Sequence, residues 1–130
     1  GYAAIGISHV RELRCSPQAG EIEIVDTLEG KLADEAEIFF HFAPDIHLTR
    51  GPAVNDWVAT RPGSDKKLML HMDAAWGFEC FRGSTNPILG WYSAVLEEKT
   101  PAVTLRGLAR HSAARGCVTR IAITEQGRAK

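Results

Sequence analysis

The sequence predicts an all-β domain, an antiparallel sandwich of roughly nine short strands. Turn-forming residues recur at intervals of roughly ten residues, which is typical of a meander of short strands. Between these turns, apolar and polar residues alternate with a period of two, as in strands that bury one face. The 130 residues, 45% hydrophobic and 24% charged, are ordinary for a globular chain of this size. We therefore expect one domain over residues 1–130.

The first two strands are predicted to form a hairpin. Residues 4–15 and 20–29 both alternate, and a turn that contains Ser16 and Pro17 separates them at 16–19. A pairing of Cys15 with Gly20 brings apolar residues opposite one another at both ends of one face. That register is the one we predict.

Asp26 is a polar residue on the mostly buried face of this hairpin. In the predicted register it lies opposite His9, with Arg11 close by on the same face. A carboxylate taken out of water needs a hydrogen-bonding or charged partner. The hypothesis is a structural contact between Asp26 and either His9 or Arg11.

The remaining strands are predicted one by one from their patterns. The aromatic run before Pro44 favours a strand over 35–42, although helix-forming residues precede it. Clear alternation predicts strands at 68–72 and 117–123, and weaker alternation predicts strands at 77–82 and 103–105. Residues 108–115 are interpreted as a strand end followed by a loop.

Charge and motifs exclude several function classes. Fifteen Lys and Arg residues against sixteen Asp and Glu residues give a formal net charge of −1. No overall field therefore attracts nucleic acid or an anionic membrane. The longest apolar stretches are a few residues long, too short to span a bilayer. No P-loop, G-x-G-x-x-G or G-x-S-x-G motif indicates nucleotide binding or serine-type hydrolysis.

The cysteines and histidines give little indication of a metal site. Cys15, Cys80 and Cys117 are far apart and form no C-x-x-C pair, so we interpret them as buried small apolar residues, with a single disulfide left open. The five histidines have spacings that occur often by chance, and we interpret them as surface or hydrogen-bonded structural residues. No metal ligand and no cofactor is predicted.

Several segments, in this order, resemble the C-terminal part of the heparinase II/III-like polysaccharide lyases. They lie between residues 7 and 123 and are His9-Val10-Arg11, Ile24 to Gly30, Phe39 to Pro44, Gly90-Trp91-Tyr92-Ser93, Lys99-Thr100-Pro101 and Leu105-Arg106-Gly107. Each segment is weakly specific, and their order makes the resemblance more specific.

The resemblance implies a bacterial enzyme with an N-terminal α/α toroid followed by antiparallel β-sheet domains. Such lyases cleave uronic-acid-containing polysaccharides by β-elimination, using Asn, Tyr and His residues that lie upstream of the matched segment. The resemblance therefore implies a noncatalytic C-terminal fragment of a longer, exported or periplasmic protein, with no catalytic residue assigned here. Its expected partners are the upstream toroid and β domains, and acidic polysaccharide. Strand edges left open by the missing neighbours would favour a homodimer.

An independent carbohydrate-binding module is the alternative function. Exposed aromatic rings commonly bind sugars on β-sandwiches, and the candidates are Trp57, Trp76, Trp91 and Tyr92. Polar or small neighbours make Trp57 and Trp76 the more plausible exposed rings. The opposing interpretation places all four in core or interdomain packing, with the Tyr92 hydroxyl bonded to backbone. A complete small enzyme is the least favoured function.

Overall fold

The computed structural model describes residues 6–30 and 34–125. In this part of the chain nine strands are four residues or longer, which agrees with the predicted sandwich, and four two-residue strands lie between residues 84 and 101. The strands are β1 (Ile7–Ser16), β2 (Glu21–Gly30), β3 (Glu35–His41), β4 (His47–Arg50), β5 (Asp56–Thr60), β6 (Lys66–His71), β7 (Gly77–Arg82), β8 (Ser84–Thr85), β9 (Ile88–Leu89), β10 (Trp91–Tyr92), β11 (Thr100–Pro101), β12 (Val103–Arg110) and β13 (Gly116–Glu125).

Two antiparallel sheets of unequal width form the sandwich. The larger sheet has the strand order β1-β2-β13-β6-β5-β4, and the smaller has the order β3-β12-β7. Buried apolar side chains from both sheets meet in one core. The predicted alternation produces this core, because successive residues of a strand point to opposite faces of a sheet. The core members that lie below a tenth of their full exposure are Trp57, Ala59, Leu70, Met72, Trp76, Phe78, Leu105, Ala109, Ala114 and Cys117.

Gly107 allows the smaller sheet to pack closely at its centre. It lies opposite Ile38 of β3 and Phe78 of β7. A Cβ atom at Gly107 would lie 2.5 Å from Cε1 of Phe78 and 2.7 Å from Cγ2 of Ile38. These two side chains fill the space above the glycine, so a larger residue cannot be added without a shift.

The register of the first hairpin differs from the predicted one. Cys15 pairs with Ile22 rather than with Gly20, and Arg11 pairs with Asp26. Gly20 has a φ of +65° and belongs to the turn, where its amide donates to the carbonyl of Pro17. Because the difference is two residues, every side chain of β2 keeps its predicted face.

The other local predictions have mixed outcomes. The strand predicted over 35–42 is confirmed as β3. The strand end predicted within 108–115 is also confirmed, since β12 continues to Arg110. The predicted loop is wrong, because residues 111–115 form a short 3-10 helix that lies against β12. Among the described residues, no helix has the length and apolar character needed to cross a membrane.

Candidate functional site

The β1–β2 hairpin turns one face toward the smaller sheet, and we call this its inner face. Asp26 of this face pairs with the core residue Cys117 on β13. Arg11 lies on the same face, with its guanidinium carbon 5.9 Å from the centre of the Phe40 ring of β3. His9 lies on this face too, because it precedes Arg11 by two residues in β1. The inner face therefore carries charged groups next to the apolar core.

The structure brings His9, Arg11 and Asp26 together, and we call these three residues the Asp26 cluster. Oδ1 of Asp26 accepts a hydrogen bond of 2.7 Å from Nε of Arg11 and lies 2.8 Å from Nε2 of His9. A second nitrogen of Arg11 donates to Oδ2 at 3.1 Å. The Asp26 side chain is 7% exposed, whereas those of His9 and Arg11 are 34% and 42% exposed. The carboxylate is thus buried beneath two partly hydrated basic groups.

The cluster keeps the Asp26 carboxylate ionised at neutral pH. Burial raises the pKa of Asp26, but the hydrogen bonds from Arg11 and His9 outweigh this effect and leave the pKa below its ordinary value. The pKa of Arg11 is raised, mainly by the hydrogen bond to Asp26. An ionised carboxylate can only accept hydrogen bonds, so His9 donates the proton in its contact.

A cleft of about 260 Å³ lies beside the Asp26 cluster, where the hairpin faces β3 and the 3-10 helix. Its walls are mostly apolar side chains, with acidic and basic residues among the rest. They are Ile7, His9, Asp26, Leu28, Glu35, Ala36, Glu37, Ile38, Trp76, Ala114, Arg115, Gly116 and Cys117. Burial raises the pKa of the Cys117 thiol to about 12. This thiol is therefore neutral at physiological pH.

Trp57 and Trp76 are core residues, as the core-packing interpretation proposes, and they are not the more exposed of the four rings. Each is 4% exposed. Trp57 points inward with Ala59 in β5, and the guanidinium of Arg50 lies 4.2 Å from its ring centre. Nε1 of Trp76 donates a 2.8 Å hydrogen bond to the carbonyl of Gly116. Buried rings of this kind offer no accessible platform for a sugar.

Trp91 and Tyr92 lie outside the main core, in the two-residue strand β10. Trp91 is partly buried and donates from Nε1 to the carbonyl of Ser84 at 2.8 Å, while the ammonium of Lys99 lies 4.2 Å from its ring centre. Tyr92 is exposed. Of the four aromatic candidates only Trp76 lines the cleft, so the structure does not gather these rings into one site.

The outer face of the smaller sheet carries an aromatic and charged surface that was not predicted from the sequence. The rings of Phe39 and His41 are stacked, with centres 6.2 Å apart and planes 6° from parallel. Nδ1 of His41 lies 3.0 Å from the hydroxyl oxygen of Thr104. Nearby on this face, the guanidinium of Arg106 lies 4.9 Å from the Phe81 ring centre. The sequence of β3 contains a signal for this surface. Phe39 and His41 lie on one face of the strand, and Ile38 and Phe40, which pack against the core, lie on the other.

The cysteines differ in part from the prediction. Cys117 is buried as expected, but Cys15 and Cys80 are exposed. All three thiols are free. Across the described ranges, no group of three or more His, Cys, Asp or Glu residues is arranged to hold a metal ion.

Comparisons with known proteins identify relatives of this fold. The model of a family described as heparinase II/III-like, C-terminal, matches residues 1–124. No curated protein matches the sequence. Among solved structures, the heparan sulfate lyase HepC from Pedobacter heparinus matches with a TM-score of 0.75 and 12% sequence identity. The match covers 96% of this chain and 19% of the HepC chain. At this identity the likeness shows a shared fold.

Proposed function

Because this chain belongs to the heparinase II/III-like C-terminal family, we propose that it is the noncatalytic C-terminal β-sandwich of a polysaccharide lyase. The parent protein would cleave uronic-acid-containing polysaccharide by β-elimination. The observation that carries this proposal is the HepC match, in which nearly the whole chain corresponds to 19% of a much longer lyase. The chemistry would then lie in the rest of the parent.

The state of the acid–base groups supports a noncatalytic role. β-Elimination needs a base that removes the C5 proton of the uronate and an acid that protonates the leaving oxygen. Asp26 is ionised but buried and bonded to Arg11 and His9. Cys117 is held neutral by burial. Tyr92 does not line the cleft in which these groups lie.

An activity assay on two polypeptides tests this proposal. The parent protein and the 130-residue chain are each incubated with a panel of uronate polymers, and the absorbance of the unsaturated uronate product is followed. We expect activity from the parent and none from this chain. Activity from the chain alone would overturn the noncatalytic assignment. A parent protein that is inactive on every polymer would overturn the lyase assignment.

The Phe39–His41 surface favours carbohydrate binding as a second candidate function. Phe39 and His41 give two neighbouring exposed rings, and the guanidinium of Arg106, which lies 3.9 Å from Glu79, is a donor suited to carboxylates. If this surface binds sugar, Phe39→Ala should weaken the affinity for uronate oligosaccharides in calorimetric titration by about tenfold, the equivalent of about 1.4 kcal/mol. Tyr92→Ala, which removes an exposed ring elsewhere, is the matched control. Equal affinities for both variants would contradict a binding role for this surface.

A further inference from the structure

The inner face of the larger sheet is apolar beyond the edge of the smaller sheet. There, Leu13 pairs with Ile24, Cys15 pairs with Ile22, and Ile123 follows on β13. We call these five residues the open strip. Leu13 is 61% and Ile123 49% exposed, and no member of the open strip is packed against the core cluster.

The open strip lies at the turn end of the β1–β2 hairpin, past the residues of the same strands that contact the smaller sheet. The core includes residues of β4, β5, β6 and the first half of β13, and the turn end of the β1–β2 hairpin extends past it.

Near the turn, the opposite face of the same strands carries charged residues. Arg14 contacts Glu12 at 2.7 Å and Glu23 at 3.2 Å, and Arg120 contacts Glu23 at 3.4 Å. This ionic network faces water, as expected for the solvated side of a sheet. The hairpin is thus amphipathic, and its apolar side is the one that the smaller sheet leaves open. Contiguous exposed apolar patches of this kind usually mark interaction sites.

We propose that the open strip is the surface on which the rest of the parent polypeptide packs, through an apolar face of its own. This inference rests on the proposed function. The occupant follows from the HepC comparison, because a match to 19% of that chain leaves most of such a protein outside this domain. Anionic polysaccharide does not fit the strip, since its five side chains are apolar or thiol groups and Arg11, next to Leu13 along the same face of β1, is engaged by Asp26.

The Cys15 thiol is a native probe of this surface, because it lies in the open strip and is exposed. Maleimide labelling of Cys15 is measured in the parent protein and in the 130-residue chain. Burial in the parent should slow the reaction by about tenfold or more, since a covered thiol reacts only through local opening. Val10→Cys provides the matched control, because Val10 is 55% exposed on the other face of β1. The thiol of that variant should react equally in both proteins.

Two charged variants give a second measurement. Leu13→Asp places a carboxylate in the open strip, and Val10→Asp places one on the opposite face of the same strand. In the parent, Leu13→Asp should restore fast labelling of Cys15, whereas Val10→Asp should leave it slow. Leu13 is largely exposed, so this substitution does not need to unfold the domain itself.

The outcomes separate the docking proposal from the lyase proposal. Equal Cys15 labelling in the parent and the chain would overturn the docking surface, even if the parent cleaves uronate polymers. Slow labelling in a parent that cleaves none would keep the surface and overturn the lyase assignment. A dimer of the 130-residue chain in sedimentation velocity, dissolved by Leu13→Asp and not by Val10→Asp, would identify a second copy as the occupant and overturn the proposal.

Discussion

Substitution of Asp26 by asparagine removes one charge from the Asp26 cluster and keeps the shape of the side chain. The carboxylate accepts two hydrogen bonds from Arg11 and one from His9, at 2.7, 3.1 and 2.8 Å. Hydrogen bonds to charged groups contribute about 1.5–3 kcal/mol each. The simple sum overstates the loss, because both donors are more than a third exposed and can return to water. Asparagine also retains one accepting oxygen. We expect a net loss of about 2 kcal/mol, the value of one charged bond.

Urea denaturation at pH 7 measures this loss as a lower midpoint with an unchanged slope. The pH dependence provides a second check. The native pKa of Asp26 lies below its ordinary value, so its contribution is complete above the unfolded pKa, near 4, and is lost as the pH falls through the native pKa. The difference between wild type and Asp26→Asn should therefore shrink below about pH 4.

Glu12→Gln is the matched control, because Glu12 also contacts an arginine at 2.7 Å but both side chains are more than half exposed. Water already solvates that pair, so its removal should leave the urea midpoint unchanged. A change of under about 0.5 kcal/mol for Asp26→Asn, within the range of ordinary surface substitutions, would refute the argument. So would a larger change that is the same at pH 3 and pH 7.

Three further predictions concern the core. Gly107→Ala should destabilise the fold by about 1–3 kcal/mol in thermal unfolding, because the added methyl group would collide with Phe78. Gly77→Ala is the control and should not destabilise the fold, since the space around Gly77 is open. Equal losses for the two variants would contradict the packing argument. Leu105→Ala should cost about 2–5 kcal/mol in urea unfolding, because Leu105 is fully buried; a loss below about 1 kcal/mol would mean that the core collapses around the gap. The Cys117 thiol, with a pKa of about 12, should stay unreactive toward Ellman's reagent at pH 8 until the protein unfolds, while the two exposed thiols react. Fast reaction of all three thiols in the folded protein would show that Cys117 is accessible.

The faces of the strands that alternate clearly could be predicted from the sequence, whereas the register of the first hairpin could not. Alternation fixes which side of a strand each residue occupies, and a shift by two residues preserves it. The length of the turn decides the register, and that length depends on Gly20 adopting a positive φ. The alternation therefore places Arg11 and Asp26 on one face in either register, but only the structure shows that they are direct partners.

The cleft and the tryptophan positions needed three-dimensional information. The cleft is built from β1, β2, β3, residue 76 and residues 114–117, so its walls come from segments that are distant in sequence. Trp57 follows two polar residues, which favoured exposure of its ring over that of Trp91 or Tyr92, but the parity of β5 turns the ring to the core with Ala59. The polarity of sequence neighbours says little here, since adjacent residues of a strand face opposite sides.

The Asp26 cluster lies at the boundary between the covered and the open parts of the hairpin's inner face. Arg11 reaches the core ring of Phe40, and its neighbour along the inner face is Leu13 of the open strip. A fully buried ion pair would carry a large desolvation cost, while a fully exposed one would contribute little. The cluster avoids both extremes, with a buried acceptor and partly hydrated donors. It therefore ties β1 to β2 beside the smaller sheet without needing the open strip to be covered, which leaves that strip available for the proposed contact with the parent.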